Sequence, residues 1–132
     1  MAEIGAILDT SWFIAIEQGR LTRPIPLPKG LVVSVVTLGE LRLAVFNAPT
    51  PAEQGPRLRT LERALRLRPI PIDETIAFQW SVLRSAARGL SHSRINDLWI
   101  AATALALQVP VVTQDDGFTR LAQIGGPKVI KI

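Results

Sequence analysis

Three short apolar runs constrain the fold of this chain most. They are Ile4 to Leu8, Leu31 to Val36 and Val109 to Thr113, none long enough for a helix of ordinary length. The continuous β-branched run from Leu31 to Val36 is the pattern of a strand buried on both faces. Between the runs lie segments with helical spacing: 12–18, 37–46, 52–67, 74–88, 96–107 and 117–124. Pro69 and Pro71 confine Ile70 and Ile72 to a short edge strand, and Val129 to Ile132 reads as a terminal strand. Strands alternating with helices predict an α/β fold, a mostly parallel sheet covered on both sides in three layers, α/β/α. No repeat or low-complexity tract divides the 132 residues, which read as one domain.

The helical segments carry their own punctuation. In 52–67, Leu58, Leu61 and Leu65 share one face and Arg59, Arg63 and Arg66 line another. Asp73 caps 74–88, which places Ile76, Trp80, Leu83 and Ala87 at helical spacing before Gly89 ends it. Pro24, Pro26 and Pro28 make 19–30 an extended loop.

Composition narrows the function. Hydrophobic residues make up 48% and charged residues 20%, as in a globular protein rather than a disordered one. No apolar stretch is long enough for a membrane span, and the N-terminus lacks the basic start of a signal peptide. With no cysteine, disulfides and thiolate metal sites are excluded. These features fit a cytoplasmic protein. Twelve of the fifteen cations are arginine, and the net charge is +4. Arginine suits bidentate phosphate contacts, so a basic body of this kind suits a polyanionic substrate.

Four acids then stand out, because each follows an apolar run or opens a helix. They are Asp9 after Leu8, Glu40 after the 31–36 run, Asp97 in the first turn of 96–107, and Asp115 after Val112-Thr113. Residues at the carboxyl ends of strands in an open α/β sheet converge in space. Gathered carboxylates repel one another unless a cation joins them, and an oxygen-only set suits a hard divalent ion. The chemistry implied is metal-assisted phosphodiester hydrolysis. Each acid also has a structural explanation: Asp9 and Asp115 as turn or cap residues, Asp97 as a favourable charge at a helix start. Thr37-Leu38-Gly39-Glu40 matches a capping box in which Glu40 reaches back to the Thr37 amide. Other chemistries are poorly supplied. His92 is the sole histidine, no Walker-type or GxGxxG loop occurs, and tyrosine is absent.

The segments Leu8-Asp9-Thr10-Ser11, Thr37-Leu38-Gly39-Glu40-Leu41, Ile95-Asn96-Asp97-Leu98-Trp99-Ile100-Ala101-Ala102 and Thr113-Gln114-Asp115-Asp116-Gly117-Phe118 together resemble the PIN domain. More narrowly, they resemble the VapC toxins of bacterial toxin–antitoxin pairs. Order, spacing and length agree over essentially the whole chain. The resemblance implies an endoribonuclease dependent on Mg²⁺ or Mn²⁺, held inactive by a VapB-like antitoxin. It also implies a homodimer and a larger assembly with antitoxin. By motif, Asp9, Glu40, Asp97 and Asp115 are the metal-binding and catalytic acids. Thr10 or Ser11 and Thr113 orient carboxylates or waters, and Asp116 shares or exchanges the fourth role. Arg94, three residues before Asp97, is a candidate phosphate contact. The arginine stripe serves RNA, antitoxin or water alone, and exposed parts of the helices holding Trp12 and Phe46 could form a groove for an antitoxin helix.

Other classes fit less well. A receiver-like signalling domain would need a phosphoacceptor Asp where Thr37 stands and a Lys after the 109–113 strand. A binding-only PIN-like module, or a structure-specific nuclease acting on DNA, would share the same fold.

Overall fold

The computed structural model describes residues 3–21, 25–89 and 95–132. Eleven elements follow one another there. They are β1 (Ala6–Leu8), α1 (Thr10–Glu17), β2 (Leu31–Ser34), α2 (Val35–Phe46), α3 (Pro51–Leu65), β3 (Arg68–Ile70), α4 (Glu74–Ala86), α5 (Ile95–Leu107), β4 (Val111–Thr113), α6 (Asp116–Ala122) and β5 (Val129–Lys131). The five strands form one sheet in the order β3-β2-β1-β4-β5. Every pairing is parallel, with Ile7 opposite Val32 on one side and Val111 on the other.

Alternation along the strands builds two cores. Ile7, Val32 and Val111 point to one face, where they meet Ile76 and Leu83 of α4, Leu98 and Ile100 of α5, and Phe118 of α6. Their neighbours Leu8, Val33 and Val112 point to the other face, against Phe13 of α1, Leu41 and Val45 of α2, and Leu61 of α3. Successive strand side chains point to opposite faces, so a strand covered on both sides needs an unbroken apolar run. The three-layer expectation therefore holds, and the sheet is wholly parallel.

Strand order fixes where a ligand can enter. The chain steps from central β1 outward to β2 and β3, then returns through α4 and α5 to β4 on the other side of β1. The order reverses between β1 and β4, and the crevice beyond their carboxyl ends is the usual binding position in such sheets. Gly5 and Gly30 keep the opposite end of β1 and β2 tight. The Gly5 amide donates to the Gly30 carbonyl at 2.9 Å, and a Cβ on Gly30 (φ +76°) would lie 2.0 Å from the Glu3 carbonyl oxygen.

Three local expectations change. The 31–36 run is a strand only to Ser34, whose hydroxyl accepts the Val36 amide at 3.0 Å and caps α2. Val35 and Val36 are thus the first turn of a helix, and the Thr37–Glu40 capping box does not form. The second edge strand spans Arg68–Ile70 and leaves out Ile72. On α3, Leu61 is buried, but Leu58 and Leu65 are 43% and 44% exposed, so the leucines do not form one buried face. Among the described residues, no helix is long and apolar enough to cross a membrane.

Candidate active site at the carboxyl edge of the sheet

Asp9 leaves β1 and caps α1 in one step. Its backbone is extended, its amide donates to the Val112 carbonyl at 2.9 Å, and its side chain is 3% exposed. One carboxylate oxygen, Oδ2, accepts from the Ser11 amide at 3.3 Å and from the Thr113 hydroxyl at 2.9 Å. Burial pushes the Asp9 carboxyl above its ordinary range, and the Ser11 and Thr113 hydrogen bonds pull it partly back.

Thr113, fully buried at the end of β4, is the hub of this network. Its hydroxyl oxygen lies 3.1 Å from that of Ser11 and accepts the Asp115 amide at 2.9 Å. The Ser11 hydroxyl also accepts the Gln114 amide at 3.0 Å. Asp115, half-buried, caps α6 by accepting the Gly117 amide at 2.8 Å. The next residue differs. Asp116 is exposed, and its carboxylate pairs with Lys131 on β5.

A second network starts at the adjacent residue. The Thr10 hydroxyl lies 2.6 Å from Oε1 of Glu40 and 3.0 Å from the hydroxyl oxygen of Thr37, both on α2. Because Ser34 caps α2, Glu40 is free of the capping role and turns toward α1. Asp97 stands half-buried in the first turn of α5, a helix that packs against β1 and α2. The structure thus links Asp9, Thr113, Ser11 and Asp115 directly, and Thr10 with Glu40. It does not close all four acids into a ready-made cage: among the described residues, no group of three or more potential ligands meets that condition.

The other selected residues separate from the acids. Arg94 and His92 lie outside the described residues. Arg59 and Arg63 line a cavity of about 230 Å³ with Phe13, Ile16, Glu17, Pro56 and Thr60. That cavity reaches Glu17 at the far end of α1 from Asp9, where Thr60 donates to the Glu17 carboxylate at 2.6 Å. Phe46 is 75% exposed on α2, whereas Trp12 is half-buried and meets Phe13 edge-on. Sequence reasoning did not select Thr37. Its one visible signal is a threonine three residues before Glu40, which the capping-box reading absorbed.

The order of these motifs has a counterpart in known proteins. The family model described as "PIN domain" matches residues 6–124, nearly the whole chain. The chain belongs to the PIN-domain family. This PIN domain is 41% identical over 127 residues to Ribonuclease VapC5 of Mycobacterium tuberculosis, covering 96% of this chain and 94% of that protein. Ribonuclease VapC4 of the same organism is also 41% identical, over 90% of this chain and 92% of that protein. Among solved structures, VapBC-5 from M. tuberculosis, a member of the VapBC family of toxin–antitoxin systems, superimposes with a TM-score of 0.82. It is 39% identical and covers 97% of this chain and 98% of that one. PIN-domain nucleases of the VapC type generally depend on a divalent metal.

Proposed function

We propose that this PIN domain is an endoribonuclease, the toxin of a toxin–antitoxin pair, acting in the cytoplasm with Mg²⁺ or Mn²⁺. The observation that carries the reading is the pair of hydroxyl networks at the β1–β4 switch point, which orient Asp9 and Glu40 within a chain so similar to named ribonucleases.

The donor set suits a hard divalent ion. Asp9 is buried against neutral donors, which leaves its charge poorly compensated, and the surrounding groups offer oxygen only. Asp9 accepts from Ser11 and Thr113 on Oδ2, and this reading assigns Oδ1 to the ion. Glu40 commits Oε1 to Thr10 and leaves Oε2. Asp97 supplies a third carboxylate from the start of α5, where the helix dipole tempers its charge. Asp115 is the fourth acid in this reading, because it shares the Thr113 hub while Asp116 is turned to Lys131. A bound divalent ion would activate water and offset charge on the phosphate. The protein's own part is to orient these carboxylates and to attract the RNA backbone through its basic surface.

In this reading the VapB-like antitoxin docks on the apolar side of α2 around Leu43 and Phe46, whose exposure supports it. A homodimer, and a larger assembly with antitoxin, complete the proposal. The test is cleavage of total RNA by antitoxin-free protein with Mg²⁺ or Mn²⁺, with EDTA, and with Asp97→Asn. Discrete metal-dependent fragments that vanish in the variant are the expected result. A folded wild-type protein that cuts DNA but no RNA, or nothing, would overturn it.

A further inference from the structure

Thr37 is completely buried in the first turns of α2. Valine has almost the same shape, so packing alone does not require a hydroxyl there. Of the other buried helical threonines, Thr103 uses its hydroxyl locally, donating to the Trp99 carbonyl at 2.8 Å four residues back. Thr60 reaches both the Pro56 carbonyl at 3.0 Å and, more closely, the Glu17 carboxylate of α1 at 2.6 Å. Thr37 likewise meets a side chain from a different element, the Thr10 hydroxyl on α1, at 3.0 Å.

That contact bears on the site because of what else Thr10 touches. Thr10 has a single hydroxyl proton, and Oε1 of Glu40 lies 2.6 Å away. Thr37 and Glu40 are three residues apart on one helix and so lie on the same face. The Thr10 hydroxyl is therefore held between two acceptors carried by one rigid element. Its one proton can serve only one of them at a time, and the two contacts together limit its rotamer.

We propose that Thr37 is a positioning residue: its buried hydroxyl fixes Thr10 and, through Thr10, aims the Glu40 carboxylate for divalent-cation binding. The inference rests on the reading of Glu40 as a cation-binding acid. Outer hydrogen-bond partners of metal ligands characteristically affect affinity or activity by roughly 10- to 100-fold. Thr37→Val removes the oxygen and keeps the volume, while Thr37→Ser keeps the oxygen.

The experiment compares wild type, Thr37→Val and Thr37→Ser as full chains. It measures Mn²⁺ affinity by paramagnetic titration, kcat and KM for RNA cleavage, and thermal unfolding without metal. Thr37→Val is expected to bind Mn²⁺ about 10- to 100-fold more weakly. Its kcat should fall at unchanged KM, with unfolding as in wild type, and Thr37→Ser should restore both. Equal Mn²⁺ affinity in wild type and a folded Thr37→Val would overturn the proposal. So would Thr37→Ser failing as badly as Thr37→Val, since volume rather than the hydroxyl would then be responsible. If wild type binds Mn²⁺ without cutting RNA, the nuclease reading fails while the affinity comparison still decides Thr37. A wild type that binds no Mn²⁺ overturns both.

Discussion

At Asp9, burial and hydrogen bonding act in opposite directions. Desolvation raises the carboxyl above its ordinary value of 3.8, and donors from Ser11 and Thr113 offset part of that rise. A raised value means that the folded chain holds the proton more tightly than the unfolded chain. The resulting stability is complete below about pH 3.8 and is lost as pH rises through the folded-state value. Metal-free wild type should therefore be less stable than Asp9→Asn at pH 7, with the gap closing on acidification. Urea midpoints at pH 7 and near pH 3.5 test this; a gap that widens at low pH would sink it. Asparagine keeps the N-cap acceptor, so the variant should fold yet lose RNA cleavage by about 100- to 1000-fold. The positions of the candidate acids at run ends were legible in the sequence, because they are visible one by one. Thr37 was not. A threonine at a buried helical position looks the same on paper whether its hydroxyl turns to a backbone carbonyl or to a residue 27 positions away.

Elements were legible where side-chain pattern and backbone capping agree. The 74–88 segment shows both: Asp73 accepts the Ile76 amide at 2.9 Å, and Ile76 and Leu83 are buried as their spacing predicts. Where cap and pattern compete, the pattern misleads. Val35 and Val36 continue an apolar β-branched run, yet Ser34 captures the Val36 amide and converts them to helix. The consequence reaches the site, since a helix starting at Thr37 would have tied Glu40 to its own cap. On α3, helical spacing identified a leucine face but not its width. Thr60, Leu61 and Ala64 are buried where α3 packs against α1 and α2, and Leu58 and Leu65 stay largely exposed. Leu61→Ala should cost about 2–5 kcal/mol of stability. Leu58→Ala should stay within about 1 kcal/mol. Denaturant unfolding of the two variants distinguishes them, and equal losses would contradict the packing described for α3.

The whole molecule joins its two layers at one edge. Periodicity announces that a strand is buried but not which strand lies beside it, so the order β3-β2-β1-β4-β5 emerges only from the fold. That order makes β1 central and brings Asp9 and Thr113 to the point where the chain reverses direction across the sheet. Asp9 and Glu40 belong to the α1–α2 side, whereas Asp97 opens α5 on the opposite layer. A cation held by both sides would tie the layers together, and its binding energy would then add to global stability rather than to one local segment. By mass action, Mn²⁺ at a hundred times its Kd should raise the unfolding free energy by about 2.7 kcal/mol. Asp9→Asn and Asp97→Asn should each abolish most of that gain, although they lie on different layers and far apart in sequence. Urea unfolding across a Mn²⁺ series measures it directly. Full stabilisation persisting in Asp97→Asn would mean that the ion bridges nothing across the sheet, and the four-acid site would have to be redrawn around Asp9 alone.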